Sequence, residues 1–263
     1  MLYTSLVMLA FALLGLSVGS FLNLCIDRLP LGQSITSPPS HCPACGRRVS
    51  ALDLIPFFNY LWLRGACRYC HAGIPIRLPI VELVTGLAFA FLYWNFGFDQ
   101  GPELGMSMVY ASFLIVMFFI DLEHQLILNK VVYPGIVVAF ALSFAWPDAF
   151  SYLWTDLGVV SSLIGGAVGF ALLFLPYIIY PKGMGAGDVK LALMIGLMTG
   201  FPEVFVALLL AIVGGGLLAI LLLALGLKKR GEAIPFGPFL AAAAMAALLW
   251  GESIYEWYAG WFS

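Results

Sequence analysis

Apolar runs of membrane-spanning character recur along this chain at 2–26, 79–97, 105–121, 132–147, 157–180, 188–201, 204–227 and 234–250. A hydrocarbon core of about 30 Å takes about 20 apolar residues in a helix that rises about 1.5 Å per residue. Backbone polar groups inside that core must be satisfied within the chain, which leaves helices as the spanning element for runs of this length. The pattern predicts an all-α polytopic membrane protein of about eight transmembrane helices. Composition agrees, with 62% of residues hydrophobic and 10% charged, far from the balance of water-soluble domains. The first run has no basic segment ahead of it and is long enough to span, so it is expected to stay on the protein as a first helix. Several runs are short or carry Pro and Gly, and such breaks survive in lipid only where neighbouring helices or a polar cavity re-satisfy the backbone.

Charge orients the chain. All 12 Lys and Arg fall in 27–78, 122–131, 181–187 with the start of the sixth run, and 228–233. The alternate loops hold Asp99, Glu103, Asp148, Asp156, Glu203 and Glu252 but no base. The basic segments are therefore expected in the cytosol and both termini outside it, in a multi-pass cell-membrane protein whose solvent is largely lipid. A net charge of -2 and scattered bases exclude nucleic acid as a partner. Three regions follow: a first transmembrane helix at 1–26, a small cytosolic insertion at 27–78, and a multi-helix membrane domain at 79–263.

The insertion is too small to hold a generous core and calls for a staple. It contains Cys42-Pro43-Ala44-Cys45 and Cys67-Arg68-Tyr69-Cys70, two Cys-x-x-Cys knuckles. Two thiolates from each tight turn complete a closed four-thiolate structural zinc site. Two disulfides are the rival, and the reducing compartment assigned by charge favours zinc. Gly46 supplies the backbone freedom that a knuckle turn needs. Cys25, at the end of the first run, is expected to be a small buried hydrophobe. His41 and His71 adjoin cysteines, but four thiolates already fill the site.

Asp121 closes the third run, and Asp188 opens the sixth after Gly183-Met184-Gly185-Ala186-Gly187. On this topology both acids lie at the cytosolic membrane face. Two carboxylates brought together there cannot both ionise cheaply and would share a proton, as in aspartic proteases. One would activate water while the other polarises a scissile carbonyl. Gly183, Gly185 and Gly187 lack a Cβ, which allows positive φ and would let a substrate backbone approach closely. The bland alternative is that each acid is an interfacial anchor. Glu123, Lys130, Lys190 and His124 are expected to face water or to pair on the cytosolic side, and Glu82 and Glu123 are candidates to meet a basic peptide. The glycine run is not a dinucleotide fingerprint, because no strand precedes it and no βαβ unit fits.

Taken in order, Gly19-Ser20-Phe21-Leu22-Asn23 with Arg28-Leu29-Pro30, the two knuckles, Arg77-Leu78-Pro79 with Val81-Glu82-Leu83, Asp121-x-Glu123, Gly185-x-Gly187-Asp188 and Ile234-Pro235-Phe236-Gly237-Pro238 resemble the type IV prepilin leader peptidases. The resemblance implies a membrane aspartyl endopeptidase that removes the basic leader of type IV prepilins or pseudopilins after a glycine, at the cytosolic face, with Asp121 and Asp188 as the catalytic pair. It also implies methylation of the new amino terminus, with S-adenosylmethionine as donor, associated with the cysteine-bearing region. The chain departs from the family at Ile127-Leu128-Asn129, where Ile-Pro-Asp is common, and at Gly65-Ala66-Cys67, where a base usually follows the glycine. The second departure bears on methylation and singles out Gly65; a peptidase without methyltransferase activity is the alternative. Two rivals come from other classes. A transporter would place its acids near the midplane within repeats, and a zinc-bearing assembly scaffold would need the knuckles but no G-x-G-D loop.

Overall fold

The structure is a computed structural model, and it describes residues 2–50, 53, 55–146, 158–180, 184–229, 232 and 234–261. The described residues form helices α1 Leu2–Arg28, α2 Phe58–Trp62, α3 Arg77–Phe96, α4 Gly101–His124, α5 Asn129–Ala145, α6 Gly158–Ile179, α7 Ala186–Thr199, α8 Glu203–Ala224 and α9 Gly237–Ala259. Each of the eight apolar runs is thus a helix, with α2 as a short addition inside the insertion. Six helices, α1, α3, α4, α6, α8 and α9, are long and apolar enough to cross a membrane, whereas α5 and α7 are shorter. The protein is an all-α, multi-pass membrane protein. The chain divides into two compact units, Met1–Val116 and Met117–Ser263.

In the first unit α1 lies against α3 at a distance that only small residues allow. A Cβ on Gly15 would stand 2.6 Å from the Thr85 carbonyl oxygen, and one on Gly19 would stand 2.7 Å from the Glu82 Cα. Polar side chains then fasten the insertion to this helix pair. Asn23 Nδ2 donates to the Leu78 carbonyl at 2.9 Å, Arg77 pairs with Asp27, and the Phe57 N–H donates to Glu82 Oε2 at 2.7 Å. Glu82 is buried and engaged by backbone, so it is not a free acid for a basic peptide; Glu123 is exposed.

In the second unit α7 is the central helix, packed against α5, α6, α8 and α9. Val189, Leu191, Ala192, Met194, Ile195, Leu197 and Met198 are all buried, the mark of a helix apolar on every side and wrapped by protein. That wrapping explains how a helix of 14 residues, about 21 Å long, can sit among longer spans. Its closest neighbour is α6. A Cβ on Gly196 would stand 2.1 Å from the Gly165 carbonyl oxygen, and the Ser162 hydroxyl donates across the crossing to the Leu197 carbonyl at 2.7 Å. The small residues Ser161, Gly165 and Gly169 recur every fourth position along α6, which is how two membrane helices come into backbone contact.

Candidate active site and metal centre

The candidate metal centre, a cluster of four cysteines, is built by two turns of the same design. In the first, the Cys42 N–H donates to the Arg47 carbonyl at 2.9 Å and the Gly46 N–H returns to the Cys42 carbonyl at 2.8 Å; in the second, Cys67 N–H donates to Ala72 at 2.8 Å and His71 N–H to Cys67 at 3.0 Å. Single antiparallel bridges, His41 to Arg48 and Ala66 to Gly73, close the two turns. The residue after the second cysteine has positive φ in both, 69° at Gly46 and 56° at His71. The four sulfurs lie within 4.8 Å of one another, and Cys42 Sγ is 3.8 Å from Cys70 Sγ. A tetrahedron with metal–sulfur bonds of about 2.3 Å has edges of about 3.8 Å, so the set fits a metal ion such as zinc. All five cysteines are free thiols, Cys25 is buried as expected, and neither His41 nor His71 joins the cluster among the described residues. Backbone N–H groups of Tyr69 and Cys70 draw the Cys67 thiol down to about 7, toward the thiolate that a metal requires.

The second knuckle is braced from outside. Arg68 Nε reaches Asp53 Oδ1 at 2.9 Å and Oδ2 at 3.0 Å, a forked contact on a buried carboxylate. The Arg68 hydrogen bond holds the Asp53 carboxyl below the ordinary carboxylate range. Gly65 follows α2 with φ of 69°, and its carbonyl accepts the Ile74 N–H at 2.7 Å. A Cβ at 65 would stand 2.9 Å from the Tyr60 ring. Gly65 is therefore demanded by the turn itself, through both backbone conformation and contact.

The two acids come from α4 and α7 of the second unit. Asp121 lies in the last turn of α4 with only 4% of its surface exposed, and its Oδ2 accepts the Gly237 N–H at 2.9 Å. Gly237 is the first residue of α9, so this N–H belongs to the unsatisfied first turn of a helix. A Cβ on Gly237 would fall 2.6 Å from that same oxygen. Asp188 is the third residue of α7, and its Oδ2 accepts the N–H of the N-cap residue Gly185 at 3.2 Å. An acid at this place caps the helix and meets its positive end, and the same bond sets the carboxylate's direction. Ile127, in the segment that follows α4, lies against Gly187 beside Asp188, where a Cβ would stand 2.7 Å from Ile127 Cβ, so the segment after α4 meets the first turn of α7.

The two described glycines do not use the positive-φ freedom that a missing Cβ allows. Gly185 is extended, with φ of -78° and ψ of 141°, and Gly187 is helical, so neither takes positive φ; Gly183 lies outside the described residues. The helix begins two residues before Asp188 and draws both glycines into its cap and first turn. Gly187 is small for a different reason, since a Cβ there would meet Ile127 Cβ at 2.7 Å. Sequence reasoning does not single out Gly237, although Ile234-Pro235-Phe236-Gly237-Pro238 stands out as a motif. It missed the contact of Lys190 Nζ with Asn129 Oδ1 at 3.0 Å as well, which joins the starts of α5 and α7. Glu123 and His124 are exposed at the end of α4, as expected.

Comparison with known proteins follows this geometry. Residues 13–96 match the Bacterial Peptidase A24 N-terminal domain, and residues 108–220 match the Type IV leader peptidase family. The chain is 34% identical to a prepilin leader peptidase/N-methyltransferase of Stutzerimonas stutzeri, over 92% of this chain and 90% of that protein. Proteins of the same description from Pseudomonas aeruginosa and Bacillus subtilis are each 33% identical, over 94% and 93% of this chain and 91% and 94% of theirs. No solved structure gives a significant match.

Proposed function

This chain belongs to the type IV leader peptidase family, and we propose that it cleaves the basic leader from type IV prepilins or pseudopilins after a glycine, at the cytosolic membrane face, with Asp121 and Asp188 as the catalytic pair. The observation that carries this reading is the placement of two carboxylates at the ends of separate helices, Asp121 closing α4 and Asp188 opening α7, each held by a glycine N–H. Like charges so placed share one proton. The ionised partner takes a proton from water as its oxygen attacks the scissile carbonyl carbon. The protonated partner hydrogen-bonds the carbonyl oxygen as negative charge develops there. The tetrahedral intermediate then collapses, the C–N bond breaks, and the proton taken from water passes to the leaving amine. The Gly237 and Gly185 N–H groups keep both carboxylates aimed through these steps, and a Cβ on Gly185 would stand 3.2 Å from Asp188 Oδ2, so the bare glycine leaves that carboxylate unobstructed.

The new amino terminus is then N-methylated with S-adenosylmethionine as methyl donor, a second activity that the names of the relatives carry. We assign it to the insertion at 27–78, in which a closed zinc site would be structural, because four thiolates leave no open coordination position. Gly65 serves this activity by shaping the turn that leads into the second knuckle. Incubating the detergent-solubilised protein with a prepilin, with and without S-adenosylmethionine, and weighing the product tests both steps. The expected product lacks the leader in both samples and gains one methyl group only with donor. An intact prepilin would refute the peptidase reading, and a processed, unmethylated product in the presence of donor would leave a peptidase alone.

A further inference from the structure

We infer that α2 is an interfacial membrane anchor, which rests its apolar face in the headgroup region of the bilayer and holds the cysteine-bearing insertion against the membrane surface. The face is inside out for a helix meeting water. Phe58, Leu61 and Trp62 stand at helical spacing and are 55%, 58% and 84% exposed, with Ile55 one turn earlier at 49%. The polar Asn59 is turned inward instead, its Nδ2 donating to the Asp53 carbonyl at 2.6 Å, and Tyr60 lies against Gly65. A surface helix of a soluble domain buries the apolar stripe and exposes the polar one. Here the arrangement is reversed, so the apolar stripe has another solvent.

That solvent is fixed by where α2 is tied. The Phe57 N–H, immediately before the helix, is bonded to Glu82, which lies five residues into α3 from Arg77. Along the helix axis this is about 8 Å beyond the start of the span, the depth of about 5–10 Å at which interfacial helices lie. Exposed apolar side chains also stand at the start of the span, Ile76 and Ile80. Tryptophan is the side chain favoured at this depth. Charge points the same way. Residues 27–78 contain six arginines against two acids, and both acids are already paired, Asp27 with Arg77 and Asp53 with Arg68. A basic excess remains even beside a zinc tetrathiolate, and it is attracted to the anionic lipids of a cytosolic leaflet.

The test uses the full chain reconstituted in vesicles of phosphatidylethanolamine and phosphatidylglycerol, with a benzophenone amino acid placed at position 62. The same label at Leu13, exposed on α1, reports lipid contact, and at Arg48, exposed on the first knuckle, reports water. All three positions are exposed, so the label displaces no packing. After irradiation, the lipid adduct yield at 62 is expected to approach that at 13 and to exceed that at 48 several-fold. A yield at 62 no higher than at 48, or adducts mainly to another polypeptide, a second copy of the chain included, would overturn the inference.

Discussion

Gly237 has no side chain because the Asp121 carboxylate fills the place where one would go. Substituting alanine would force the carboxylate off the N–H that holds it. Displacement of a reacting group by about 1 Å costs about 100-fold in rate, so Gly237→Ala is expected to lower cleavage by about that factor while prepilin binding, read by co-purification, persists. Retained turnover would show that the Gly237 contact does not position the acid. This contact also marks where sequence reading stops. The two acids and the Ile234-Pro235-Phe236-Gly237-Pro238 neighbourhood are visible as motifs, but the bond joins residues 116 positions apart, and no local pattern announces such closure. The glycines before Asp188 show the opposite case. Their lack of a Cβ allows positive φ, but Asp188 acts as a cap and the helix extends backwards over Gly187, leaving Gly185 extended. Smallness was legible there, and its reason was not.

The two knuckles were the most legible element, because Cys-x-x-Cys dictates its own turn and four thiolates dictate their meeting. Metal analysis is expected to find about one zinc per chain, as a single tetrahedral site requires, and none after all four cysteines are changed to Ser. Unchanged zinc in that variant would place the metal elsewhere. What the sequence could not disclose is the brace from Asp53 to Arg68, since nothing in the spacing of the two residues distinguishes a partner from a bystander. The folded-state pKa of Asp53 lies below its unfolded value. The pair's contribution is therefore fully present above about pH 4, the ordinary carboxylate value, and is lost as pH falls through the depressed one. Limited proteolysis of the insertion should find Asp53→Asn more readily cut than the parent at neutral pH, with the difference fading well below pH 4. A difference that persists undiminished into strong acid would mean that the ionised carboxylate is not what braces the loop. The short length of α7 was also visible in its apolar run, but its central position was not, because burial on every side is a property of its neighbours.

The molecule as a whole places a four-cysteine insertion in its first unit and Asp121 and Asp188 in its second, and the two regions match separate family domains. The eight apolar runs and their order were evident from hydropathy alone. The division into two units was not, since the boundary falls inside α4, where composition does not change. The central claim is that Asp121 and Asp188 work as one catalytic unit, each needed in a different protonation state. Cleavage should then have a bell-shaped pH dependence whose limbs belong to the pair. Asp→Glu at either position should also fail, because such sites tolerate shifts of only about 0.5 Å. The most direct measurement is cleavage of prepilin by purified Asp121→Asn and Asp188→Asn proteins that remain folded and still bind the substrate. The expected result is a loss of at least about 100-fold in both, the loss of an acid or base in the transition state; near-native turnover in either one would contradict the assignment of the pair.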